Sequence, residues 1–127
     1  MNIYGVGTDI VEVKRINKLI KKKTSLKKLF NTIEITKCLK IKNSSNCFAK
    51  RFAAKEAFSK ALGTGFTKGV SFNEIIVLNE KNGKPYIKLL DRTKTIVKKR
   101  IKKRNYKISL SLSDEKNYAV AFVTISV

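Results

Sequence analysis

Asp9, Glu56 and Lys60 are the residues whose types and surroundings suit chemistry. Asp9 follows Gly5 and Gly7 at every second position of "NIYGVGTDIVEV", so an extended chain puts all three on one face. Glycine weakens a strand, and two of them leave a side-chain-free strip beside a lone carboxylate. The strip has room for a ligand or another backbone, or for bulky helix residues to pack into. Glu56 and Lys60 lie one turn apart in "RFAAKEAFSKALGTG", away from the packing residues Ala54, Ala57, Phe58, Ala61 and Leu62. Alone, they would be a surface ion pair worth only ~0.3–0.5 kcal/mol. Together with Asp9, they suit Mg²⁺, which takes one or two carboxylates, keeps several waters and completes its shell with phosphate oxygens. Lys60 would then neutralise phosphate as a point charge. Gly63-Thr64-Gly65 reads first as a helix C-cap; at that end of a helix it is no dipole-driven phosphate cradle.

Composition narrows the alternatives. The chain has no histidine, which removes Ser-His nucleophiles, imidazole acid/base catalysis and the usual zinc sites. Twenty-nine basic against nine acidic residues give a formal charge of +20, so an acidic partner is expected. Lysine, asparagine and isoleucine abound together, and part of that charge is drift that a surface tolerates. Cys38 and Cys47 have no metal spacing and are expected as thiols in a reducing compartment. No apolar run reaches the ~20 residues of a membrane span, and no signal peptide is visible, so a cytoplasmic protein without membrane attachment is expected.

The elements that must position these residues are partly legible. The opening strand is followed by a basic helix from about Val13 to Lys23, with Val13, Ile16, Leu19 and Ile20 as its apolar stripe and Arg15, Lys18 and Lys22 opposite. "SLKKLFNTIEITKCLKI" suggests one or two helical turns, "NSSN" a loop, and the long helix runs from about Cys47 to Leu62. Asn82-Gly83 predicts a tight hairpin with both residues at positive φ. "RTKTIVKKRIKK" is a basic amphipathic helix, and "YKISLSLS" and "NYAVAFVTISV" form a closing antiparallel pair. Ala119, Ala121, Val123, Ile125 and Val127 face one way in the last strand; Tyr118, Val120 and Phe122 face the other. Both faces are apolar, so both should be covered, one of them by another subunit.

"IYGVGTDIVEVKRI", "RFAAKEAFSKALGTGF", "NGKP" and "SLSDEKNYAVAFV", in that order and nearly end to end, resemble holo-acyl-carrier-protein synthase, the small trimeric class of 4′-phosphopantetheinyl transferases. The resemblance implies one α+β domain over residues 1–127, an antiparallel sheet around a long central helix with shorter basic helices. It implies transfer of 4′-phosphopantetheine from coenzyme A to a serine of apo-acyl carrier protein by a homotrimer in fatty acid biosynthesis. Asp9 and Glu56 match the family's Mg²⁺ ligands, and Lys60 the lysine that contacts the coenzyme A phosphates. Arg51, Lys55, Gly63, Thr64, Gly65, Gly83 and Pro85 fall where the family binds coenzyme A. Arg15, with Lys18 and Lys22, matches the helix that docks the acidic carrier protein.

One position departs from the pattern. Many members read Ser-His-Glu where this chain has Ser113-Asp114-Glu115. Asp114 accepts hydrogen bonds and is repelled by phosphate, so it is expected to face a lysine, a backbone amide or metal-bound water, with a catalytic role in orienting that water. The competing class is a basic RNA- or ribosome-binding domain. Against it, no RRM-like or cold-shock motif accompanies the charge, which alone gives only salt-sensitive, nonspecific binding.

Overall fold

In the computed structural model, residues 2–63, 69–103 and 105–127 are described. A 19-residue helix, α4 (Ser44–Leu62), runs through the centre, with 14 of its residues buried. A helix enclosed on nearly all sides needs close neighbours, and its alanines allow them. On one side lies a three-stranded antiparallel sheet of β1 (Ile3–Glu12), β5 (Tyr118–Ser126) and β4 (Lys107–Asp114), in the order β1-β5-β4. Ala119, Ala121, Val123 and Ile125 turn inward and are fully buried. The glycine strip proves to be a seat for backbone. A Cβ at Gly5 would collide with the Ala61 carbonyl and one at Gly7 with the Ala57 carbonyl, so α4 rests directly on β1. This approach brings Asp9 level with the last turns of α4.

Three helices precede α4: α1 (Val13–Leu19), α2 (Lys23–Leu29) and α3 (Thr32–Lys40). The expected single helix through Lys23 therefore stops early, and Lys22 is the extended N-cap of α2 instead of a third residue on the Arg15 face. After Ile20 the chain has no apolar residue until Leu26, so a longer helix would have nothing to bury. The stretch 24–41 holds two helices; α3 starts with a capping box in which Asn31 accepts from the Ile33 N–H and Glu34 from the Asn31 N–H. The expected "NSSN" loop is instead the first turn of α4.

Cys38 and Cys47 are not thiols. They form a disulfide that fastens α3 to the start of α4, with Cα atoms 5.5 Å apart. Nothing in their nine-residue spacing reveals it, because only the turn between the two helices brings them together.

Beyond α4, a 3₁₀ turn (Phe72–Glu74) leads into the two-stranded pair β2 (Ile75–Asn79) and β3 (Pro85–Leu89), then α5 (Asp91–Ile101). The β2–β3 hairpin is longer than expected. Positive φ is confined to Gly83 (92°), and the Gly83 N–H donates to the Glu80 carbonyl at 2.8 Å. That is a turn followed by one left-handed residue, an arrangement that needs glycine at a single place.

Candidate active site

Asp9 projects from β1 toward α4, where Lys60 bridges strand and helix. Its ammonium donates to the Thr8 carbonyl at 2.9 Å and lies 3.3 Å from Asp9 Oδ1. Burial raises the Asp9 carboxyl above its ordinary range, against the pull of Lys60 and Arg15. Glu56 is raised too, first by burial and then by the charge of Asp9, which identifies the two carboxylates as neighbours. Two half-buried carboxylates side by side, their charged forms disfavoured by burial, can take up further positive charge beyond that of Lys60 and Arg15. Arg15 is on the same side: α1 follows β1 directly, so its first turn overlooks the carboxylates. Lys18 is exposed on the same helix.

Apart from this site, a concavity of about 460 Å³ opens where the start of α4 meets α3, β2 and the end of β4. It gathers Arg51, Gly83 and Asp114 with Lys37, Asn46, Lys50 and Asn79. Arg51 is 4% exposed; it donates to the Cys47 carbonyl at 3.3 Å, the Cys47 sulfur at 3.2 Å and Asn79 Oδ1 at 3.2 Å. Its Nε has no hydrogen-bond partner among the described residues. Asp114 accepts from Asn46 Nδ2 at 2.8 Å and lies 3.7 Å from the Lys50 ammonium. Pro85 opens β3 opposite Asn79, at the edge of the same region.

Lys55 is in neither place. It is fully buried, donating to Glu34 Oε1 at 2.6 Å, the Leu29 carbonyl at 2.7 Å and the Phe72 carbonyl at 2.9 Å. With all three ammonium donors used inside the protein, Lys55 cannot reach a coenzyme A molecule. It ties α4 to α2, α3 and the 3₁₀ turn, and its sequence neighbour Glu56 leaves the helix about 100° further round, toward Asp9. Gly63 is the left-handed C-cap of α4 (φ 88°), and Arg100 donates to its carbonyl at 3.2 Å. Thr64 and Gly65 lie outside the described residues.

Sequence reasoning passed over Lys37, Asn46, Lys50 and Asn79. Asn46 stood in an apparent loop and Lys37 in a stretch without a motif. Lys50 was detectable as the residue one position before Arg51 on a basic helix, but nothing local aims it at Asp114.

Nine residues separate Arg51 from Lys60 in α4, so their side chains leave the helix about 180° apart. The carboxylate site and the basic cleft thus open on opposite sides of one chain. On the outer face of the sheet, Tyr4, Val6 and Ile10 of β1 and Tyr118, Val120 and Phe122 of β5 form an exposed apolar surface.

Comparison with known proteins agrees on one family. A profile described as the 4′-phosphopantetheinyl transferase superfamily matches residues 5–123. A holo-[acyl-carrier-protein] synthase of Pelagibacter ubique (strain HTCC1062) is 49% identical over 125 residues, 98% of each chain. The crystal structure of holo-[acyl-carrier-protein] synthase from Neisseria meningitidis superposes with a TM-score of 0.86 at 36% identity, covering 98% of this chain and 99% of that one. The enzyme of Bacillus anthracis str. Ames, solved in complex with CoA (3′,5′-ADP), gives 0.80 at 34% identity, covering 99% of this chain and 98% of that one. With its motifs in order, its α+β architecture shared and its length matched almost throughout, the chain belongs to the 4′-phosphopantetheinyl transferase superfamily.

Proposed function

We propose that this chain is a holo-acyl-carrier-protein synthase, moving 4′-phosphopantetheine from coenzyme A to a serine of apo-acyl carrier protein and releasing adenosine 3′,5′-bisphosphate. The observation that carries the reading is the meeting of Asp9, Glu56 and Lys60 at the β1–α4 seam, within reach of Arg15 on the adjoining helix.

The donor set fits Mg²⁺. It offers two carboxylates and no soft ligand, and among the described residues no third His, Cys, Asp or Glu joins them. Such a site leaves most positions of a hard cation to water and substrate phosphate. Asp9 and Glu56 would hold the ion, which supplies Lewis-acid polarisation of the pyrophosphate when bound. Lys60, held by the Thr8 carbonyl, is placed to share charge that develops on the phosphate oxygens. The serine oxygen attacks the phosphorus that carries the pantetheine arm, and the bond to the bisphosphate leaving group breaks. The serine proton passes to a carboxylate or a water, since the chain has no histidine to take it.

The opposite placement of cleft and carboxylates favours a homotrimer, in which one coenzyme A spans the cleft of one subunit and the carboxylates of the next. The apolar outer face of the sheet is the natural contact. Arg15 and Lys18 beside the carboxylates suit an acidic carrier protein delivering its serine. We place the reaction in the cytoplasm.

Intact mass of apo-acyl carrier protein after incubation with coenzyme A and Mg²⁺ tests the function. A gain of one phosphopantetheine is expected; an unchanged mass with folded enzyme overturns it.

A further inference from the structure

Asn79, the last residue of β2, joins three parts of the basic cleft. Its Oδ1 accepts from the Lys37 ammonium of α3 at 2.6 Å and from the Arg51 guanidinium of α4 at 3.2 Å. Its Nδ2 donates to the Gly83 carbonyl in the hairpin at 3.0 Å. Neither cation has a carboxylate at ion-pair distance among the described residues. Arg51, buried with an unpartnered Nε, hydrogen-bonds only neutral acceptors; the one carboxylate whose charge favours it, Glu34, is not in contact with it and is already paired with Lys55. Burial and the nearby charges of Arg51 and Lys50 lower the Lys37 pKa, a sign that the cations repel one another. A buried cation without a counter-ion is unfavourable, and an arriving anion relieves it. A neutral side-chain carbonyl gathers such cations without cancelling their charge, whereas a carboxylate there would satisfy them internally.

We propose that Asn79 is a positioning residue for coenzyme A: its amide holds Lys37 and Arg51 together, still uncompensated, to receive an anionic group of the nucleotide. This rests on the coenzyme A reading above. Asn79 is neutral because a charged replacement would occupy the cations that the ligand needs. The Cys38–Cys47 disulfide, one residue from Lys37 and four from Arg51, helps by fixing α3 against α4.

Asn79→Asp, nearly isosteric, separates positioning from structure. We expect its KM for coenzyme A to rise about tenfold or more, with the KM for carrier protein within about twofold and the melting temperature no lower than wild type. Asn79→Ala should raise the coenzyme A KM by a smaller factor. An unchanged coenzyme A KM in Asn79→Asp overturns the proposal, as does a fall in turnover and melting temperature without a selective KM effect. Calorimetric titration with adenosine 3′,5′-bisphosphate keeps the two readings apart. A wild type that binds it but transfers nothing defeats the transferase reading, while weaker binding by Asn79→Asp still supports the role of Asn79. Equal affinity, or no binding by wild type, overturns that role.

Discussion

Asp9 lies close enough to raise the proton affinity of Glu56, so removing either charge should remove the site's reason to hold a cation. Asp9→Asn and Glu56→Gln are each expected to lose turnover by ~100-fold or more while remaining folded. In wild type, Mg²⁺ should raise the melting temperature and chelator should reverse it; neither variant should respond. Full activity of either variant in excess chelator rules out the metal site. Arg15 and Lys18, proposed to meet the carrier protein, should act on a different substrate. Charge reversal to Glu at both should raise the carrier protein's KM by ~10-fold or more and leave that of coenzyme A much less affected. Added salt should weaken wild type in the same direction. Equal effects on the two substrates would make this helix face an ordinary solvated one.

Two joints hold the elements around α4, and neither touches the carboxylate site. Lys55 links three of them to α4 through one buried ammonium, so Lys55→Met should destabilise the protein by ~3–5 kcal/mol, because Glu34 is left buried without its cation. Equilibrium denaturation reads this loss. Burial lowers the Lys55 pKa from 10.5 to about 8. Between those values the unfolded chain carries a proton that the folded chain has released, so this residue makes stability rise with pH across the window. Below about pH 8 both states are protonated and its contribution is flat. The stability gap between wild type and Lys55→Met should therefore widen from pH 7 to pH 9.5; a narrowing gap contradicts the lowered pKa. The disulfide is the second joint. Reduction should lower stability by ~2–3 kcal/mol, given the short loop it closes. Trapping with an alkylating agent on lysis, followed by intact mass, reports which form is present in cells. Denaturation midpoints that ignore reductant would show that helix packing alone holds α3 in place.

For the whole molecule, the decisive feature is that one chain exposes an apolar sheet face and carries its carboxylate pair and its basic cleft on opposite sides of a helix. Val6 and Phe122, 51% and 44% exposed, stand near the middle of that face. Sedimentation at micromolar concentration should report about three protomers. Val6→Glu with Phe122→Glu should yield monomers that stay folded, since both side chains point away from the core, yet lose activity. A fully active monomer refutes the shared site.

From sequence alone, the family, the residues suited to chemistry and most of the frame were readable. Asp9, Glu56 and Lys60 were legible because a carboxylate beside paired glycines and an i, i+4 pair on an alanine-rich helix depend on spacing within single elements. The alternation of β4 and β5 and the C-terminal end of α4 followed from the same local signals, whereas its first turn was read as a loop. Tertiary structure decided what depends on partners far along the chain. The carbonyls of Ala57 and Ala61 chose backbone as the occupant of the glycine strip. Glu34 and two backbone carbonyls drew Lys55 into the core, although its position in the motif looked like that of a ligand residue. Cys38 met Cys47 only because α3 turns back onto α4, and Asn79 met Lys37 and Arg51 only because β2 ends between them. Periodicity within an element fixes which side chains share a face; what that face meets is fixed by close packing against elements distant in sequence.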